Sequence, residues 1–287
     1  MNMRKLRLSR RSITTAAALV GVLSLAIGAH AALNMRALDA AKAIATEQSG
    51  DAVKQAPRLA LVIGNGHYPD AGAPLTQPIN DARALTAALR RNGFDVDVVE
   101  DASRDDMDRA VDRLKAKIRS DSVVMLYFGG YGVQVGRESY MIPVDAAIWK
   151  EADVRRDGLS IEAVLDVMKE RGARAKLVVI DASRRNPYER RFRAFSHGLA
   201  PINAPDNALI LSSATPGKVA DDSSGQYSVL MAELLNNLNA QAQGAEAVFN
   251  KTRVAISRAS EGEQVPSVSS SLLEDVSFGA REEKAGG

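Results

Sequence analysis

Beyond its first fifty-odd residues the chain alternates short, wholly apolar runs with longer stretches in which apolar residues recur every three or four positions. Leu59-Ala60-Leu61-Val62-Ile63-Gly64 reads as a buried strand ended by glycine. Pro78 to Arg91 reads as a helix, with Asn80 or Asp81 near its cap and Leu85 and Leu89 four apart on one face. The same reasoning predicts strands at Phe94–Val99, Ser122–Phe128, Ala175–Ile180 and Ala208–Leu211. It predicts helices from Ser103 to about Ile118, at Leu159–Arg171, around Val229–Leu238 and at Ala245–Ser260. Strands too apolar for a sheet with one wet face, alternating with helices, predict an α/β fold with a mostly parallel central sheet. The charged, glycine-ended stretch Arg281–Gly287 reads as a disordered tail.

The N-terminus follows a different pattern. Arg4, Lys5, Arg7, Arg10 and Arg11 precede an apolar run from about Ala16 to Ile27, which ends in Ala29-His30-Ala31. That order is a secretory signal over residues 1–31 with cleavage after Ala31, and the run is short of the roughly 20 residues a membrane span needs. Ser9-Arg10-Arg11-Ser12-Ile13 loosely matches a twin-arginine signal. The expectation is export to the periplasm or beyond, with a membrane in contact only if the signal stays uncleaved. Residues 32–57 read as an Ala-rich spacer before a domain at 58–280, itself divided into a larger part, 58–190, and a smaller one, 205–280.

Charge changes little once the leader is set aside. It holds five of the 37 basic residues, and the remaining 32 are outnumbered by 35 acids, so the body gives no reason to expect nucleic acid as a partner. The chain of 287 residues has no cysteine, which excludes disulfides, thiolate metal sites and a cysteine nucleophile.

In a parallel sheet, loops and helix N-termini converge at the carboxyl ends of the strands. There Gly64-Asn65-Gly66 and Gly129-Gly130-Tyr131-Gly132 lack the third glycine or the lysine of a nucleotide loop. His30, His67 and His197 are too scattered for a metal centre, so neither a metal nor another cofactor is expected. What remains is specific. One strand runs into Gly129-Gly130-Tyr131-Gly132 and another into Asp181-Ala182-Ser183-Arg184. These resemble the caspase-like cysteine peptidases, in particular their bacterial metacaspase or orthocaspase branch, in which one strand ends in Ser-Gly-His-Gly and another in Asp-Ala-Cys-Arg. Further matches, in order, are Asn80-Asp81-Ala82, Tyr140-Met141-Ile142-Pro143-Val144-Asp145-Ala146, Ser212 with Ala214-Thr215-Pro216-Gly217, and Gln264-Val265-Pro266. They span roughly Arg58 to Phe278.

The resemblance implies a three-layer α/β/α sandwich around a sheet of about six strands. It also implies a site. The catalytic dyad would fall at Tyr131 and Ser183, where the family has histidine and cysteine. Backbone N–H groups of Gly132 and Ser183 would form an oxyanion hole. Asp81 and Asp181 would line a pocket for an Arg or Lys side chain; read by themselves, they are equally a first-turn helix acid and a strand-end acid. Both dyad positions are substituted, and so is the serine that Gly129 replaces. A phenol with a pKa near 10 donates far better than it accepts, and a serine needs a strong base; His67 is the only candidate imidazole after the first strand. Losing one member of a comparable Ser–His unit costs on the order of 10⁶ in turnover. The expectation is a pseudopeptidase that binds a peptide or protein segment with basic residues. The alternatives are a residual hydrolase using Ser183 and a structural envelope protein reusing the scaffold. Arg184, Arg185, Arg190, Arg191 and Arg193 read as a solvated run or as a tethered basic ligand for the acidic pocket.

Overall fold

The computed structural model describes residues 56–69, 74–185, 187–188, 198–220, 225–238 and 243–278. The signal, nearly all of the spacer, the tail, His197 and the arginines at 190, 191 and 193 lie outside the described residues. Those described belong to one unit, Ala56–Gly287.

Its strands are β1 (Arg58–Gly64), β2 (Asp95–Glu100), β3 (Val123–Gly129), β4 (Gly132–Val135), β5 (Glu138–Met141), β6 (Leu159–Ser160), β7 (Ala175–Asp181), β8 (Ala208–Ser212) and β9 (Ser267–Ser270). Its helices are α1 (Gln77–Arg91), α2 (Arg104–Lys117), α3 (Glu151–Asp157), α4 (Ile161–Glu170), α5 (Val229–Leu238) and α6 (Ala245–Ala259). Six strands form the central sheet in the order β2-β1-β3-β7-β8-β9; all neighbours are parallel except β9, which runs antiparallel to β8. The expected mixed α/β fold, a mostly parallel six-stranded sheet flanked by helices, is therefore the fold of this chain.

Strand alternation sorts the core into two layers. Ala60, Val62, Val123, Met125, Tyr127, Leu177 and Val179 pack beneath α1, α5 and α6, against Leu85, Leu89, Leu230 and Phe249. Leu61, Ile63, Val124, Leu126, Phe128, Val178 and Ile180 face the other way, onto Met107 and Leu114 of α2 and Val164 and Leu165 of α4. Burial on both faces is why the strands read as unbroken apolar runs.

Three local features differ from the pattern. α1 starts at Gln77, with Thr76 at its cap and Pro78 in the first turn, so Asp81 lies one turn further along than a first-turn acid. Leu159 and Ser160 belong to β6, and Ser160 caps α4 by accepting from the Ala163 N–H. The strands β4, β5 and β6 form a second, three-stranded sheet over a small core of Tyr68, Tyr131, Val133, Tyr140 and Ile142. By contrast α2 opens as expected on Ser103, whose side chain accepts from the Asp106 N–H while the Asp106 carboxylate accepts from the Ser103 N–H.

Candidate active site and acidic pocket

Gly64, Gly129 and Asp181, the last residues of β1, β3 and β7, stand in register. Glycine at the first is a steric requirement: a Cβ on Gly64 would lie 2.5 Å from the Pro78 carbonyl oxygen, so α1 can drop its first turn onto the strand end. Just beyond, Asn65 bridges neighbouring loops. Its Oδ1 accepts from the Ala102 N–H at 2.8 Å and its Nδ2 donates to the Ile142 carbonyl at 3.1 Å.

Past the strand ends, segments 130–132 and 181–183 run side by side. The Gly130 N–H donates to the Asp181 carbonyl at 3.3 Å and the Gly132 N–H to the Ala182 carbonyl at 3.2 Å. The two segments that carry Tyr131 and Ser183 are thus brought together by backbone hydrogen bonds. Tyr131 is fixed from three directions. Its N–H donates to the Tyr68 hydroxyl at 3.0 Å, its carbonyl accepts from Ile142 at 3.0 Å, and its ring meets Tyr68 edge-to-face at 4.9 Å. The Tyr68 hydroxyl in turn donates to the Ile142 carbonyl at 3.0 Å. Ser183 is only 1% exposed; its N–H donates to Ser213 Oγ at 3.4 Å and its carbonyl accepts from Ala220 at 2.7 Å. Both N–H groups expected at an oxyanion hole therefore have acceptors within the chain.

His67 faces elsewhere. Its Nδ1 lies 2.5 Å from Asp101 Oδ2, and Asp101 Oδ1 accepts from the N–H groups of Gly66 and His67 at 2.8 and 3.0 Å. Asp101 follows β2, three strands from β7 in the sheet. At about 4.8 Å per strand this places the pair on the order of 14 Å from the β7 end that bears Ser183.

The residues expected to line an acidic pocket lie on one face of the sheet, in a buried cluster. Tyr127, Gly129 and Asp181 are at alternating positions of paired strands, beneath α1, which brings Asp81. Asp81 is fully buried, and its two oxygens accept from the Ser228 N–H at 3.1 and 3.3 Å. Burial and the neighbouring charge of Asp181 nevertheless push its carboxyl up to about 7. The Tyr127 phenol rises well above its ordinary value for the same reasons, burial first and then both aspartates. Arg184 turns back into this cluster and is only 6% exposed. Its Nη1 donates to the carbonyls of Gly130, at 3.0 Å, and of Asp181. Its Nη2 stands 3.7 Å from Asp181 Oδ2, an ion-pair contact too long for a hydrogen bond. Among the described residues Asp181 Oδ2 and the Tyr127 hydroxyl have no hydrogen-bond partner. The described residues also contain no group of three or more His, Asp or Glu placed to hold a metal.

Sequence reasoning missed Tyr127, Ser213 and Ser228. Tyr127 carries the one polar side-chain atom of an otherwise apolar strand, but neither it nor the two serines announces a role, because that depends on what each meets in the fold.

A mostly parallel sheet between two helical layers, with two bonded loops after the adjacent strands β3 and β7, defines a caspase-type α/β domain. The chain belongs to this family: the profile described as "Caspase domain" matches residues 57–277. It is also similar to human mucosa-associated lymphoid tissue lymphoma translocation protein 1, with 29% identity over 144 residues, and to the mouse homolog of that protein at the same identity and length. Each alignment takes in 50% of this chain and 17% of the relative.

Proposed function

We propose that this member of the peptidase family is an exported pseudopeptidase, which binds a segment bearing Arg or Lys and does not cleave it. The observation that carries this reading is the chemistry at the two bonded segments. Tyr131 and Ser183 stand where the family pattern has its histidine and cysteine, Ser183 is buried, and His67 is held by Asp101, which follows β2, three strands from β7. His67 is the one imidazole among the described residues, and the segment bonded to that of Ser183 carries a phenol, which donates far better than it accepts. The paired aspartates supply the reason to expect a basic ligand. In this reading residues 1–31 direct export.

Two measurements test it. Purified protein incubated with Arg- and Lys-ended fluorogenic peptides shows no turnover above that of Ser183→Ala; turnover lost in that variant would replace the reading with a serine hydrolase. A non-cleavable Arg peptide binds the intact protein, and Asp181→Ala weakens it about 10- to 100-fold, the worth of one charge-assisted hydrogen bond. Equal binding in both, or none, would discard the pocket.

A further inference from the structure

We propose that Arg184 is a built-in occupant of the acidic pocket, so that a guanidinium from another molecule enters only when the Arg184 side chain withdraws. The inference takes the acidic pocket from the function proposed above, and adds how that pocket is regulated.

Its first support is position. The guanidinium is buried on the carbonyls of Gly130 and Asp181 and beside the Asp181 carboxylate, in the cluster that also holds Asp81 and Tyr127. Any competing cation would have to use the same oxygens. The second support is that Arg184 fills the place incompletely. A free guanidinium meets a carboxylate with two parallel N–H···O bonds. Arg184 is three residues from Asp181, and this short tether holds Nη2 at 3.7 Å from Oδ2 instead of at bonding distance. The Asp181 Oδ2 and Tyr127 hydroxyl oxygens remain buried and unbonded, two groups whose hydrogen-bonding capacity the internal arginine does not meet. An incoming guanidinium, free of the tether, can satisfy them. The third is charge. Removing Arg184 without replacement leaves the neighbouring buried carboxyls of Asp81 and Asp181 with no cation among their described neighbours, so the emptied pocket is a cation site. Apparent affinity for an external ligand is then the intrinsic affinity multiplied by the fraction of molecules with Arg184 out.

The probe is agmatine, which carries a guanidinium on a short chain. Thermal unfolding is followed for the intact protein, Arg184→Ala and Arg184→Gln, and for each variant combined with Asp181→Asn. Agmatine at about a hundred times its Kd raises the Tm of Arg184→Ala and Arg184→Gln by about 5–10 °C. It shifts the intact protein by less than about a fifth of that, and the Asp181→Asn combinations not at all. Equal shifts in intact protein and variants, or no shift in the variants, would overturn the proposal. Should a variant not fold alone, refolding with agmatine decides: recovery of folded protein supports the proposal, and failure of both variants to recover overturns it.

The Arg peptide separates this from the pocket reading. Agmatine rescue without peptide binding by any variant keeps the internal occupant and removes the peptide ligand. Peptide binding of equal strength to the intact protein and Arg184→Gln, without selective rescue, keeps the ligand and removes the occupant.

Discussion

In the unfolded chain Asp81 titrates near its ordinary value of 3.8, whereas burial and the Asp181 charge push it up to about 7 in the folded domain. Between those two values the native state binds the extra proton, so stability falls as pH rises from about 4 to about 7. A shift of that size corresponds to about 4 kcal/mol across the window. Asp81→Asn removes the titration while keeping an oxygen for the Ser228 N–H. The variant should match the parent near pH 4 and exceed it at pH 8 by about 1–3 kcal/mol, read from urea midpoints against pH. A parent whose stability is level across the window would contradict the raised carboxyl.

Tyr127 bears on the same buried cluster through sterics. A Cβ on Gly129 would lie 2.6 Å from the Tyr127 hydroxyl, so the phenol occupies the room that any side chain at 129 would enter. Gly129→Ser should cost about 1–3 kcal/mol through overpacking. Tyr127→Phe should be neutral or stabilising by about 1 kcal/mol, since it deletes an unbonded buried hydroxyl. The double variant should cost less than the two changes summed, a coupling that a double-mutant cycle measures directly.

At the scale of elements, the site depends on how closely α1 sits on β1. Gly64→Ala would set its Cβ 2.5 Å from the Pro78 carbonyl oxygen and 2.8 Å from Ala82 Cβ, and backbone cannot yield as a flexible side chain does. We expect a loss of about 2–4 kcal/mol, and under the proposed function weaker binding of the Arg peptide, because Asp81 rides on the displaced helix.

The long apolar strands and amphipathic helices were legible because burial on two faces writes an unmistakable pattern. Elements that pack on one side only, or that are very short, were not. The two-residue β6 merged into the helix behind it, and β9, Ser267-Val268-Ser269-Ser270, has one apolar residue to mark it. Asp81, Tyr131, Asp181 and Ser183 could be picked out by their family pattern. The inward turn of Arg184 could not be chosen over a solvated path, since sequence is silent on whether the side chain bends back to its own strand end. Tyr127 looked like one more large residue in a core strand, because which hydroxyls go unbonded is decided by packing alone.

Over the whole domain, its two ends are fastened to each other. Arg58 donates to the carbonyls of Phe278 and, at 3.4 Å, Asn92, and its guanidinium lies 5.6 Å from the Phe94 ring centre. Phe278 in turn packs 6.0 Å from Phe249 and 6.4 Å from Phe94, ring centre to ring centre. Arg58→Ala should lower stability by about 1–3 kcal/mol, measurable by chemical denaturation. Among the described residues no helix is long and apolar enough to cross a membrane.

The strand order β2-β1-β3-β7-β8-β9 has a consequence for how the molecule is made. Once β1 and β2 have paired, each later strand of the central sheet, β3, β7, β8 and β9, adds to the same growing edge in the order in which it leaves the ribosome. Until β9 arrives, that edge is β8, Ala208-Leu209-Ile210-Leu211-Ser212, an apolar strand with open backbone groups and every residue ready for a neighbour's sheet. The serine-rich β9 is thus a terminal stop: it pairs with β8 and offers the next chain a short, polar edge. A nascent chain halted before Ser267 would be expected to self-associate through β8, which sedimentation of the truncated protein would detect.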